Sequence, residues 1–260
     1  MGCSPDSLLA WFAPWACALG ASAAASVVAW RAGALSADGA VAAVAVGTVV
    51  AGAGGWSWAV LLGVFVAAAS AVSALPPHPQ KPRRSARQVL ANGMVACLAA
   101  VGHALGVVGA GAAFAAAVAA AWSDTWATEF GVRYGGRPRL WGLRPAEPGT
   151  SGAVTAVGTL AGFAAAACCG AVAHALRIAP AGWTAGAGVL GLLVDSVLGA
   201  TVQAQYRCSC CGRGGEAARC SCGGRGVQVR GLRWVDNDAT NLLGTAAAAV
   251  FGWWLASGVP

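Results

Sequence analysis

Charge is what this chain has least of. Only 10% of its 260 residues are Asp, Glu, Lys or Arg, against about a quarter in a soluble domain. With 58% apolar side chains and a mean hydropathy of +0.66, a water-soluble fold is all but excluded. A Gly-x-x-x-x-Gly-Lys-Ser/Thr segment is also lacking, so nothing supports a P-loop nucleotide site. The alternating period of lipid-embedded strands is missing too, which disfavours a β-barrel. No basic run precedes the first apolar stretch, which is therefore expected to be a retained helix instead of a cleaved signal. Asp6 stands where a myristoylation signal needs Ser or Thr, so Met1-Gly2-Cys3 carries no weight as a lipidation site.

The few charges are clustered. Residues 7–30, 39–80, 88–123, 148–176, 178–194 and 239–260 contain none. A bilayer core needs roughly 20 helical residues per crossing, so the two longest tracts can each hold about two spans. The expected architecture is all-α, a single transmembrane domain over residues 1–260 with eight spans near 9–30, 38–54, 56–74, 89–107, 112–133, 151–174, 183–204 and 237–256. A Cys- and Arg-rich loop, 205–235, interrupts it. Many spans are rich in Ala and Gly. Either close helix approach, as at Gly158-x-x-x-Gly162, or a genomic composition bias accounts for that.

Eight spans make the connections alternate sides, and the basic residues then divide unevenly. The odd-numbered connections hold Arg31; Lys81, Arg83, Arg84 and Arg87; Arg133, Arg137, Arg139 and Arg144; and Arg207, Arg213, Arg219, Arg225, Arg230 and Arg233. Of the 16 basic residues only Arg177 falls on the other side. The positive-inside rule then puts the large basic loops in the cytoplasm and both termini outside, in a multipass plasma (inner) membrane protein.

Ionisable groups inside spans are costly, so each is a functional candidate. Span five carries Ser123, Asp124 and Glu129, and span seven carries Asp195 and Ser196. Span eight opens on Asp236, Asn237 and Asp238, followed by Asn241. Arg87, Gln88 and Asn92 stand at the start of span four, and Thr150 and Ser151 at the start of span six. All fall in the cytoplasmic half; Asp124 lies only ~15 Å of helix from Tyr134. Carboxylates from separate helices, ringed by arginines, suit Mg²⁺ shared with a polyanion. Blander uses compete: Asp236 as the N-cap of span eight, and Glu129 paired with Arg133. His103, in the outer half, is expected to be a packed side chain, which weakens a proton or ion relay crossing the whole membrane.

Five of the ten cysteines crowd the last connection. Cys208-x-x-Cys211 followed by Cys220-x-Cys222 offers four thiolates compatible with a structural Zn²⁺, with Cys210 as an alternative register. Free or reversibly oxidised thiols are the competing reading. Cys3, Cys17, Cys97, Cys168 and Cys169 are expected to be small apolar fillers.

Arg87-Gln88-Val89-Leu90-Ala91-Asn92-Gly93, Ser123-Asp124-Thr125-Trp126-Ala127-Thr128-Glu129-Phe130-Gly131, Gly149-Thr150-Ser151-Gly152, Asp195 through Gln203 and Asp236 through Asn241 resemble, in order, the signature blocks of a multipass membrane family. That family includes the plastid phytyl-phosphate kinase and uncharacterised bacterial and animal proteins, and the likeness spans roughly residues 31–250. Ser151 and Ala153 depart from its pattern, where Asn and Gly are usual. The resemblance implies Mg²⁺-dependent transfer of phosphate from a nucleoside triphosphate to an isoprenyl monophosphate, with CTP favoured by analogy with dolichol and phytol kinases. Asp124, Asp195 and Asp236 would then serve as metal ligands, with Glu129 and Asp238 as supporting or alternative ligands. Arg87, Gln88, Asn92, Ser123, Thr150, Ser151, Ser196, Asn237 and Asn241 would bind substrate. A transporter or flippase for an anionic lipid is the alternative; no nucleic acid partner is expected.

Overall fold

The computed structural model describes residues 5–76, 83–140, 144–146, 150–220 and 222–258. Among them the chain forms α1 (Pro5–Arg31), α2 (Ala37–Gly54), α3 (Trp56–Ser73), α4 (Ala86–Ala104), α5 (Ala110–Tyr134), α6 (Ala156–Ala175) and α7 (Ala181–Thr201). A small sheet of β1 (Gln205–Cys208), β2 (Gly214–Gly215) and β3 (Gly226–Arg230) then precedes α8 (Asn237–Ser257). Lys81, Gly149 and Cys3 lie outside the described residues.

The helix starts explain most departures from the expected boundaries. Thr155 accepts a hydrogen bond from Gly158 N at 3.0 Å, so α6 begins at Ala156 and leaves Thr150 and Ser151 in a turn ahead of it. Ser85 and Gln88 form a capping box that starts α4 at Ala86, ahead of the expected residue 89. Ser36 caps α2 by accepting from Gly39 N, and Asp236 caps α8 by accepting from Ala239 N. The helices that begin at the opposite end of the bundle, α3, α5 and α7, follow Gly55, Gly109 and Pro180 and have no side-chain cap.

Helix α5 is the axis of the fold. Every residue from Ala112 to Ser123 is buried, and α3, α4, α6, α7 and α8 all pack against it. Ala and Gly make such proximity feasible. A methyl group at Gly158 would meet the Ala127 carbonyl oxygen at 2.6 Å, and one at Gly191 would meet the Ala120 Cβ at 2.5 Å. At these positions the small residues answer a packing demand. The main apolar cluster joins α5 (Phe114, Trp122) to α2 (Val50), α3 (Leu61, Phe65), α4 (Ala96, Ala100) and α6 (Ala165, Cys169). His103, expected to be packed, is exposed, with its ring 4.9 Å from that of Trp58.

Six helices, α1, α2, α3, α6, α7 and α8, are long and apolar enough to cross a membrane. α4 and α5 are diluted by Arg87, Gln88 and Asn92 and by Asp124, Glu129 and Arg133. The connections alternate between the two ends of the bundle. At one end Ser36 N donates to the Arg84 carbonyl, Arg133 reaches the Ser73 and Leu75 carbonyls, and Arg230 holds the end of α7. At the other, Trp253 Nε1 donates to the Val108 carbonyl at 3.0 Å, and Gly111 abuts the Ile178 carbonyl.

Candidate functional site

Four helices deliver the central polar group. Asp124 from α5, Asp195 from α7 and Asn241 from α8 line one small cavity together with Asn92 from α4 and Thr245 from α8. Its volume of ≈ 10 Å³ suits a single water or a bare ion. With its side-chain nitrogen turned toward the carboxylates, Asn241 donates to Asp195 Oδ1 and Asp124 Oδ2, both at 3.2 Å, while its oxygen accepts from Asn237 Nδ2 at 3.2 Å. Asp195 is also within hydrogen-bonding reach of Asp124 and Thr240. Two carboxylates this close repel unless a proton or cation lies between them. Ala120, Ala121, Gly191 and Gly244 form the remaining wall, and the two glycines let α5, α7 and α8 close around the pair.

A second cluster sits at the start of α8. Arg87 pairs with Asp236 at 2.6 Å and with Asp238 at 3.2 Å. Asp236 also accepts from Ala239 N at 3.1 Å, so it is the cap of α8 as well as an ion-pair partner; it is not among the residues lining the cavity. Gln88 is spent on its capping box, and its carbonyl accepts from Asn92 Nδ2 at 3.0 Å.

Glu129 belongs to a third cluster. It pairs with Arg133 on the next turn and accepts from Ser73 Oγ at 2.6 Å, joining α5 to α3. Arg84 lies half-buried nearby; desolvation pushes its pKa down, and the charge of Glu129 opposes the shift. Ser123 is fully buried on α5, and its hydroxyl has no hydrogen-bond partner among the described residues.

The turn holding Thr150 and Ser151 closes through Ala153 N to the Thr150 carbonyl at 3.1 Å and presses against the end of α7. Gly152 has a φ of +72, and a methyl group there would strike Ala200 N at 2.1 Å and the Ser196 carbonyl at 2.5 Å. Ser196 is therefore placed by its backbone against this turn. Glu216 reaches in from the Cys-rich loop, accepting from Ser151 Oγ at 2.8 Å and Gln203 Nε2 at 3.1 Å. Its charge is close enough to act on Asp195. Glu216, Thr240 and Thr245 are absent from the expected set: a lone acid in a solvated loop and threonines on an apolar helix carry no distinguishing signal in sequence.

The four sulfurs of Cys208, Cys211, Cys220 and Cys222 lie within 4.8 Å of one another. Hydrogen bonding from the Arg213 backbone, and from Cys220 and Cys222, holds the Cys211 thiol down to about 6. The Gly224 N–H favours the Cys222 thiolate, but contact with the other three sulfurs pushes Cys222 up to about 12. Cys210 is exposed and outside the cluster. Of the expected fillers, Cys169 is buried and Cys97 half-buried, whereas Cys17 and Cys168 are exposed on the bundle surface.

Residues 20–249 match the family model described as Integral membrane protein DUF92. The chain belongs to this family. No curated protein and no solved structure matches it. Membership of DUF92 accords with the apolar helices and makes the protein an integral membrane protein. All four central polar residues of this DUF92 chain, Asn92, Asp124, Asp195 and Asn241, fall within the matched region.

Proposed function

We propose that this protein is an isoprenyl-phosphate kinase, transferring the terminal phosphate of a nucleoside triphosphate to an isoprenyl monophosphate at the cytoplasmic face of the membrane. The observation that carries this reading is the meeting of Asp124 and Asp195 from separate helices on a single Asn241 amide nitrogen. The donor set is all oxygen and amide, and the cavity admits one ion, which fits Mg²⁺. Asp124 and Asp195 would hold it, with Asn92 and Asn241 beside them, and it would neutralise the charge of the phosphates during transfer.

The phosphates are too large for the cavity and lie outside it, toward the end of the bundle where Arg87 is exposed. Arg87 is already oriented by Asp236 and Asp238 and offers its remaining N–H groups to phosphate oxygens. An oxygen of the acceptor monophosphate bonds to the γ-phosphorus as the γ-phosphorus bond to the β–γ bridging oxygen breaks. The products are a nucleoside diphosphate and an isoprenyl diphosphate. A phosphate oxygen is already nucleophilic, so the protein's task is positioning and charge neutralisation. Nucleotide choice, with CTP first by resemblance, would be decided at the rim of the site.

In this reading all eight helices cross the membrane, and the basic end faces the cytoplasm, with both termini outside. Helix α5 tolerates Asp124 and Glu129 because its neighbours, not lipid, surround it. The test is purified protein in detergent with Mg²⁺, each nucleoside triphosphate and a series of isoprenyl monophosphates, scored for diphosphate product. Product formation that vanishes in Asp124→Asn and Asp195→Asn proteins of unchanged helix content supports the proposal. Full activity in Asp124→Asn, or nucleotide-independent flux of an anionic lipid across sealed vesicles without any product, overturns it.

A further inference from the structure

The loop between α7 and α8 has little to fold around. Its residues 205–235 carry six arginines, Arg207, Arg213, Arg219, Arg225, Arg230 and Arg233, against the single acid Glu216. Its β2 is two glycines, and its β3 side chains Val227 and Val229 are exposed. Yet it forms a three-stranded antiparallel sheet in the order β2-β1-β3, a result that hydrophobic burial does not supply.

What the strands do bring together is sulfur. Cys208 and Cys222 are 3.5 Å apart, Cys211 and Cys220 3.6 Å, and Cys211 and Cys222 3.6 Å. A tetrahedron of sulfurs about 2.3 Å from a central metal has edges of ~3.8 Å, whereas a disulfide needs ~2.05 Å. Each cysteine pair closes on a tight turn: Gly212 N donates to the Cys208 carbonyl at 3.0 Å, and Gly223 N to the Cys220 carbonyl at 2.9 Å. Gly212 and Gly223, directly after each pair, have φ of +70 and +84. A methyl group at Gly224 would come within 2.7 Å of Cys208 Sγ and 3.3 Å of Cys222 Sγ, so the backbone itself leaves room for the sulfur cluster.

We propose that Cys208, Cys211, Cys220 and Cys222 bind one Zn²⁺, and that this ion is what folds the loop onto the membrane bundle. Four thiolates on a divalent ion carry two net negative charges, which offset part of the arginine self-repulsion. The folded loop is then seated by Arg230, which donates to the Ala200, Gly199 and Ser151 carbonyls at 2.5, 2.8 and 3.3 Å, and by Glu216 on Ser151 and Gln203. The zinc ribbon is thereby fixed to the end of α7. The inference stands independently of the phosphotransfer chemistry, because zinc content is read without any substrate.

The experiment is elemental analysis of full-length protein purified in detergent under reducing, chelator-free conditions. About one zinc per chain is expected, released stoichiometrically to a chromogenic chelator when a mercurial reagent blocks the thiols. Cobalt exchange should give the absorption of a tetrahedral thiolate complex. Cys211→Ser/Cys220→Ser should lose the metal, and Cys210→Ser should keep it all. Wild-type protein with Cys208, Cys211, Cys220 and Cys222 all reactive as free thiols and no bound zinc, iron in place of zinc, or loss of zinc in Cys210→Ser would each overturn the assignment. The wild-type release measurement decides the matter even if the double variant fails to fold.

Discussion

The two ends of the bundle are built by different rules. At one end three of the four connections are long, the connections and the helix ends beside them hold fifteen of the sixteen basic residues, and α2, α4, α6 and α8 start with side-chain caps from Ser36, Ser85, Thr155 and Asp236. At the other, the turns at Gly55, 105–109 and 176–180 are short, start their helices on Gly or Pro, and hold only Arg177. One end is therefore organised by hydrogen bonds and ion pairs, the other by backbone geometry and apolar contact. In the proposed reading, chemistry with charged substrates belongs to the first end.

The sharpest break of this comparison is topological and all-or-none. A protease site inserted at Gly136 in oriented vesicles should be cut only from the cytoplasmic side, and one at Gly106 only from outside; both cut from one side would dismantle the eight-span arrangement. Next in size is chemistry at the polar end, where Asp195→Asn should lower product formation by about 10²-fold or more with little change in substrate KM. Gly191→Ala should follow, because its methyl group meets Ala120 Cβ at 2.5 Å and the Gly244 carbonyl at 2.9 Å. A loss of about 1–3 kcal/mol in detergent unfolding is expected. Arg87→Ala should cost under about 1 kcal/mol of stability, since the ion pairs are exposed, while raising the KM for the phosphate substrates about tenfold or more. Smallest is Arg177→Gly at the sealed end. Arg177 is the only non-glycine residue with positive φ among those described, at 57, and relief of that strain should stabilise the protein by up to about 1 kcal/mol.

The polar end is also where sequence was most and least informative. Asp124, Asp195 and Asn241 stood out because an acid or amide in an apolar tract has no cheap explanation, and they do meet. Asp236 was ambiguous for a physical reason: a residue that caps a helix and a residue that binds a cation look alike in sequence, and here the side chain serves the cap and Arg87. Glu216 was invisible because its partners, Ser151 and Gln203, lie 65 and 13 residues away and come together only when the loop folds. Helix boundaries followed the charge-free tracts, and the largest shift, at α6, came from a threonine cap that periodicity does not register. The sheet in the loop went unforeseen because its strands are short and rich in Gly.

The central position of α5 has a consequence for how the protein is made. Its Ala-rich surface and its acids gain little from hydrocarbon, so on leaving the ribosome it has small reason to settle in lipid unaided. In the eight-span reading it becomes a good membrane segment only when α6, α7 and α8, all synthesised later, have arrived to enclose it. For this helix, insertion and tertiary assembly are one event, and variants that delay the later helices should strand it at the membrane surface, exposed to quality-control proteases.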